Sequence, residues 1–191
     1  VAVLPHRTWV TWVSFSPDGT KLVTGEQGSG EPCHAIVWST HDWDEIRPPM
    51  VHEDGVRSVQ YSPDGQTIVT ASVDGFVRLW DADSHLALEF NSAINHNDRV
   101  MRASISANGR HIVAGTLDGI VRLWDLSSGA VFARSAPGVL SRNGRWSARE
   151  TEGSISVFGT DDLSQMVRHF DVRGRIANLI CGNTGTRVLV S

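Results

Sequence analysis

Residues His52 to Asp81 read HEDGVRSVQYSPDGQTIVTASVDGFVRLWD, and residues His96 to Asp125 read HNDRVMRASISANGRHIVAGTLDGIVRLWD. Laid over each other at an offset of 44 residues, without a gap, they are identical at 14 of 30 positions. The identities include the starting histidine, Val56 and Val100, Gly65 and Gly109, Asp74 and Asp118, and the closing VRLWD. Self-similarity at a fixed period of several tens of residues marks a repeat array, in which each unit buries its faces only against its neighbours.

Inside the unit, short alternating runs rich in β-branched and aromatic residues are separated by Gly, Asp, Asn and Pro, the pattern of antiparallel strands. Strands are expected near 56–61, 67–71, 76–81 and 86–90. SPDG at 62–65 closes the first hairpin and Val73-Asp74-Gly75 the second: proline presets the turn's φ, and glycine accepts a positive one. Helical periodicity is absent.

Working outward, an offset of 46 lays His6, Val10, Val13 and SPDG at 16–19 on His52, Val56, Val59 and SPDG at 62–65. This first copy ends in Val37-Trp38-Ser39, and its turn before the tryptophan is four residues longer. A fourth copy is degenerate, with SRNG at 141–144, Glu152-Gly153 for Asp-Gly, and Phe158 in place of the tryptophan. A fifth begins near Arg173. The expected units are 6–51, 52–95, 96–134, 135–172 and a partial 173–191. Val1 at the start and the strand-like Val188-Leu189-Val190-Ser191 at the end make both ends expected cuts in a longer protein.

The start histidine, SPDG, the Asp-Gly turn and the closing Leu-Trp-Asp, at a period near 44, resemble the WD-repeat family. The resemblance implies an all-β chain, a β-propeller of four-stranded antiparallel blades, about four blades plus partial terminal strands, part of a larger propeller. It also implies a hydrogen-bonded tetrad in each blade, joining the start His, a Ser or Thr on the second strand, the turn Asp and the Trp. Carried over by position, these are His52, Ser72, Asp74 and Trp80 in unit two, and His96, Thr116, Asp118 and Trp124 in unit three. Unit one keeps His6 and Trp38 as a partial tetrad, with Glu26 at the hydroxyl position and no aligned Asp. Unit four keeps none of it.

The 17 basic and 21 acidic residues form no block of like charge, so nucleic acid and anionic membranes are not expected partners. No apolar run approaches the length of a bilayer span. Cys33 and Cys181 are too few for a disulfide framework, which fits a reducing compartment and a cytoplasmic location.

Two chemical readings have plainer rivals. Ser72, His52 and Asp74 form a nucleophile, base and orienter on paper, yet the trio recurs as Thr116, His96 and Asp118, and a structural staple repeats whereas a single active site does not. His41, Asp42, Asp44, Glu45, His52, Glu53 and Asp54 lie close in sequence but lack ligand spacing, so neither metal nor cofactor is expected. Gly28-Ser29-Gly30 lacks the lysine and the strand-to-helix setting of a phosphate loop. Arg78 and Arg122, alternating with Leu79 and Leu123, are expected to make blade-surface contacts.

In WD-repeat proteins the turn before the Trp strand and the segment after the start His share a rim where partners dock. By resemblance that rim carries Trp9 and Thr11, Gly55 and Arg57, Arg99 and Met101, Arg175 and Ala177, with Val73 and Leu117 and the long turn at 26–34 beside it. Trp and Arg anchor interfaces more often than other residues. The expected function is a non-catalytic scaffold or sensor that binds a protein or peptide, as one region of a larger protein of the signalling type, which the SPDG-rich style resembles. Two alternatives stand beside it: an enzyme or small-ligand binder using the axial channel, and an assembly element that self-associates through open propeller ends. The first strands offer Val13, Phe15, Val59, Tyr61, Ala103 and Ile105, with few ionisable groups among them to support catalysis.

Overall fold

A computed structural model describes residues 2–28, 31–88, 93–95, 98–106, 109–117, 120–126, 131–140, 146–151, 154–159, 166–171, 179–181 and 188–190. All regular structure among them is strand, and no helix is long and apolar enough to cross a membrane. The chain divides into two compact units, Val1–Ser104 and Ile105–Ser191.

The first unit opens with a four-stranded antiparallel sheet in sequence order: β1 Trp9–Phe15, β2 Lys21–Gln27, β3 Cys33–Ser39 and β4 Glu45–His52. A second such sheet follows, with β5 Val56–Tyr61, β6 Thr67–Ser72, β7 Phe76–Asp81 and β8 Ala93–Asn95, and β9 begins at Val100 and ends at Ile105. The first three strands of the second sheet fall where the alternation puts them. The fourth does not. Ala87 makes an isolated bridge to Trp80, and β8 pairs with β7 from Ala93 opposite Arg78 to Asn95 opposite Phe76, while residues 89 and 90 of the expected run 86–90 lie outside the described residues.

The two Ser-Pro-Asp-Gly turns are built alike. Ser16 Oγ donates to Asp18 Oδ1 at 2.6 Å, Thr20 N donates to the same oxygen at 3.0 Å, and Gly19 sits at φ +74°. Ser62, Asp64 and Gln66 repeat the arrangement around Gly65 at φ +75°, and Gly109 has φ +71°. Hydrogen bonds from Ser16 and Thr20 hold the Asp18 carboxyl down at about 2.

Between the two sheets lies the unit's core. Val23, Ala35, Val37 and Met50 of the first meet Val56, Val59, Tyr61, Ile68 and Trp80 of the second. The approach is close: a Cβ on Gly25 would stand 3.0 Å from Val56 Cγ1, so a larger residue where β2 passes β5 would have to push the Val56 side chain aside. The opposite face of the first sheet is more open. Leu22, Ile36 and Trp38 cluster there with Leu4 packed on them, while Val10, Val13 and Phe15 are 45%, 51% and 59% exposed. Their counterparts at the offset of 46, Val56, Val59 and Tyr61, are buried.

In the second unit β10 His111–Thr116, β11 Ile120–Asp125, β12 Val131–Leu140, β13 Trp146–Thr151, β14 Ser154–Gly159 and β15 Met166–Asp171 pair antiparallel in sequence order. β12 serves twice: its earlier part pairs with β11, and Gly138 to Leu140 pair with β13. The degenerate fourth copy therefore keeps the strand order of the others. β16 Leu179–Cys181 and β17 Val188–Val190 form a separate hairpin.

Candidate functional site: blade networks and the rim

In unit two the Trp80 indole donates to Thr70 Oγ1 at 2.9 Å. Ser72, the hydroxyl expected from the repeat, instead donates to the Asp54 carbonyl at 3.0 Å and accepts the Asp74 N–H at 3.1 Å. The register explains the correction. Ile68 lies opposite Trp80 and Thr70 opposite Arg78, so Thr70 is the diagonal neighbour of the tryptophan, and Ser72 stands one pleat, about 6.8 Å, farther along the same face. A nucleophile-and-base reading of Ser72 and His52 finds no support, because the serine hydroxyl is held by a backbone carbonyl.

Asp74 is the hub of this blade's polar network. Arg78 Nη1 donates to Asp74 Oδ2 at 2.6 Å and to His52 Nδ1 at 2.8 Å, while Phe76 N and Glu53 N also donate to the carboxylate. Burial resists ionisation of Asp74, but His52, Arg78 and the Phe76 N–H overcome it and hold its pKa well below the usual carboxylate range. Burial, aided by the Arg78 charge and opposed by Asp74, lowers the pKa of His52 and keeps the ring neutral. The Arg78 guanidinium also lies over the Phe76 ring, 5.0 Å from its centre. Arg78 thus belongs inside the network, and not among plain blade-surface contacts.

Unit one builds the same kind of network from different positions. Trp38 Nε1 donates to Thr24 Oγ1 at 2.9 Å, and His6 Nε2 lies 2.8 Å from that hydroxyl. His6 Nδ1 donates to the Leu4 carbonyl, so Nε2 is free to accept the Thr24 proton. The hydroxyl position is therefore Thr24, two residues before Glu26. Glu26 supplies the carboxylate: its Oε1 accepts the Arg7 N–H at 2.9 Å, just as Asp74 accepts the N–H of Glu53, and each donor is the residue after the start histidine. His34 Nδ1 lies 3.1 Å from Glu26 Oε2.

In unit three Ile112 lies opposite Trp124 and Ala114 stands at the position of Thr70, so this blade has no hydroxyl there. Thr116 donates to the Ile120 carbonyl at 3.1 Å and accepts from Arg122 at 3.4 Å. His96 and Asp118 lie outside the described residues.

On the rim, Trp9 is 83% exposed. Register shifts between Val10 and Trp12, and between Val56 and Ser58, leave Thr11 and Arg57 as the extra residues of two β-bulges, a device that re-aims side chains at a strand end. Thr11 Oγ1 donates to the Val56 carbonyl at 2.6 Å, and Arg57 Nη1 donates to Gln27 Oε1 at 2.8 Å. An open hollow of about 600 Å³ lies beside them, lined by His6, Arg7, Thr8, Trp9, Gln27 and Gly28. Gly28 brings the long turn to the edge of this hollow. In the same unit Val73 and Met101 are half-buried and Arg99 is exposed. Leu117, within Ile105–Ser191, is exposed, and Arg175 lies outside the described residues. Sequence reading missed Thr24, Thr70, Glu26 as a carboxylate hub, and Gln27. Among the described residues no three His, Cys, Asp or Glu side chains gather as a metal site.

The family model described as WD domain, G-beta repeat matches residues 1–39, 46–81 and 90–125. Over 83 residues the chain is 34% identical to a rice protein named chromatin assembly factor 1 subunit FAS2 homolog, an alignment covering 40% of this chain and 16% of that protein. Over 92 residues it is 33% identical to periodic tryptophan protein 2 of Saccharomyces cerevisiae, covering 44% and 10%. Over 71 residues it is 35% identical to the serine-threonine kinase receptor-associated protein of Dictyostelium discoideum, covering 37% and 23%. The chain thus matches under a quarter of the length of each of these relatives. With the family model matching more than half of its length, and with Trp-to-hydroxyl staples in its first two blades, the chain belongs to the WD-repeat family.

Proposed function

We propose that this chain is a protein-interaction module whose docking surface is the rim around Trp9 and Arg57. The observation that carries it is the indole of Trp9, held out in solvent at the edge of an open hollow, where a globular protein gains nothing by leaving it. A large rigid ring beside a hollow is the makeup of an interface anchor, and Arg57, fixed by Gln27, is pre-organised to add a directed hydrogen bond. Relatives whose names place them in a chromatin assembly factor and with a kinase receptor support a role inside protein assemblies. The SPDG-rich style of the repeats supports a signalling role.

Affinity capture followed by mass spectrometry tests the surface. Trp9→Ala and Arg57→Ala should each deplete the proteins retained by the unaltered chain, with thermal melting unchanged. Equal recovery of those proteins by both variants would sink the assignment.

A second surface has its own support. The exposed stripe of Val10, Val13 and Phe15 repeats a stripe that the next blade buries completely, so its natural cover is another blade, which in solution a second copy of the chain can provide.

A further inference from the structure

The first two blades each place a carboxylate on the N–H of the residue after the start histidine, but only one of them fills the space in front of it. In unit two that space holds Arg78, whose guanidinium bonds Asp74 and His52 and stacks on Phe76. Counting back from the tryptophan, unit one has Ile36 where unit two has Arg78, and His34 where it has Phe76. The register agrees: Thr24 lies opposite Ile36 as Thr70 lies opposite Arg78. What remains in unit one is a cavity of about 300 Å³ lined by Glu26, His34, Ile36, Glu45, Pro49 and the turn of Pro5 to Arg7.

We propose that this cavity binds a guanidinium group supplied from outside, the side chain of an arginine on a partner. Glu26 is the receptor. It is 1% exposed, and its two oxygens each accept one bond, from Arg7 N and His34 Nδ1. A carboxylate offers about four lone-pair sites, so each oxygen keeps one for a two-pronged donor. Ile36 and Pro49 give the aliphatic stem an apolar wall, and the His34 ring stands where the Phe76 ring supports the guanidinium of Arg78. The protein's own second blade shows that a guanidinium satisfies this kind of carboxylate. Arg7 reaches Glu26 through its backbone N–H, and the residue is exposed.

Titration of the full chain with N-acetyl-arginine methylamide, followed by NMR of the His34 and Ile36 signals, tests the proposal. Saturable binding is expected, weakened about tenfold or more in Glu26→Gln, because a charge-assisted pair is lost. Ile36→Arg leaves Glu26 in place and rebuilds the occupant of unit two, so it should abolish binding of the added ligand; this variant decides the matter if Glu26→Gln fails to fold. Trp9→Ala should bind the ligand as the unaltered chain does, which separates this site from the rim. No saturable binding, equal binding by Ile36→Arg, or equal affinity for the corresponding lysine methylamide would overturn the assignment.

Discussion

At the scale of single residues, the two hydroxyls of β6 divide the labour in a way that substitution can expose. Thr70 takes the buried Trp80 N–H, whereas Ser72 ties the turn at Asp74 to the Asp54 carbonyl. Thr70→Val keeps the shape and leaves the indole N–H without its acceptor, a loss of about 1–3 kcal/mol. NMR should show the Trp80 indole proton shifting in Thr70→Val and staying put in Ser72→Ala. The histidine gives a second expectation. His52 is buried neutral with its pKa below the ordinary value of 6.5, so the unfolded chain takes up the proton first as pH falls. Stability therefore declines as pH drops through about 6.5 and levels off once the folded ring titrates. Denaturant titrations from pH 7.5 to 5 should show this slope, and His52→Gln should flatten it while lowering stability throughout. In unit two His52 lies 3.8 Å from Asp74 and edge-on to Trp80, but the hydroxyl that takes the Trp80 N–H is not the one the repeat points to. Unit two offers one at 70 and one at 72, and comparison with unit three favours 72, where Thr116 stands and Ala114 does not compete. Unit one, with Thr24 and then Glu26, carried the opposite answer. Glu26 stayed hidden as a carboxylate hub because it comes from a strand end and not from the turn.

At the scale of the element, the Ser-Pro-Asp-Gly hairpin is specified by chemistry local enough to read directly. Proline and glycine set the backbone, and the Asp64 side chain collects the Ser62 hydroxyl and the Gln66 N–H. Gly65→Ala forces a Cβ into φ +75° and brings it 3.4 Å from Pro17 Cδ, for a loss of about 1–2 kcal/mol. Gly19→Ala, at φ +74°, meets nothing within 4 Å and bears the same backbone loss, because 3.4 Å at Gly65 is an ordinary van der Waals contact. Chemical denaturation should show similar losses for the two variants; a much larger loss in Gly65→Ala would make the Pro17 contact a clash. Alternation located the inner strands because they face a core on a regular pleat. It could not locate the bulges at Thr11 and Arg57, which depend on how β1 and β5 meet their partners, nor the pairing of Ala93 to Asn95 with β7.

At the scale of the whole molecule, the repeat supplies an internal control that no single blade could. Val56, Val59 and Tyr61 are buried by the sheet before them, and the same positions in the first sheet, Val10, Val13 and Phe15, stand open on the face that carries Leu22 and Trp38. Burying an aliphatic or aromatic side chain is worth about 1.5–3 kcal/mol each, so three such residues in a row make a stripe that favours association once a partner face is offered. A second copy brings the identical stripe, and two stripes can meet around a two-fold axis. Sedimentation of the chain should accordingly show a concentration-dependent species heavier than the monomer, and Val13→Lys with Phe15→Lys should return it to the monomer. Those lysines point to solvent on an outer face, so melting of the core between the first two sheets should barely change. A chain already monomeric at high concentration, or a double variant that still associates, would mean that this stripe is not the contact and that only a blade of different make can cover it.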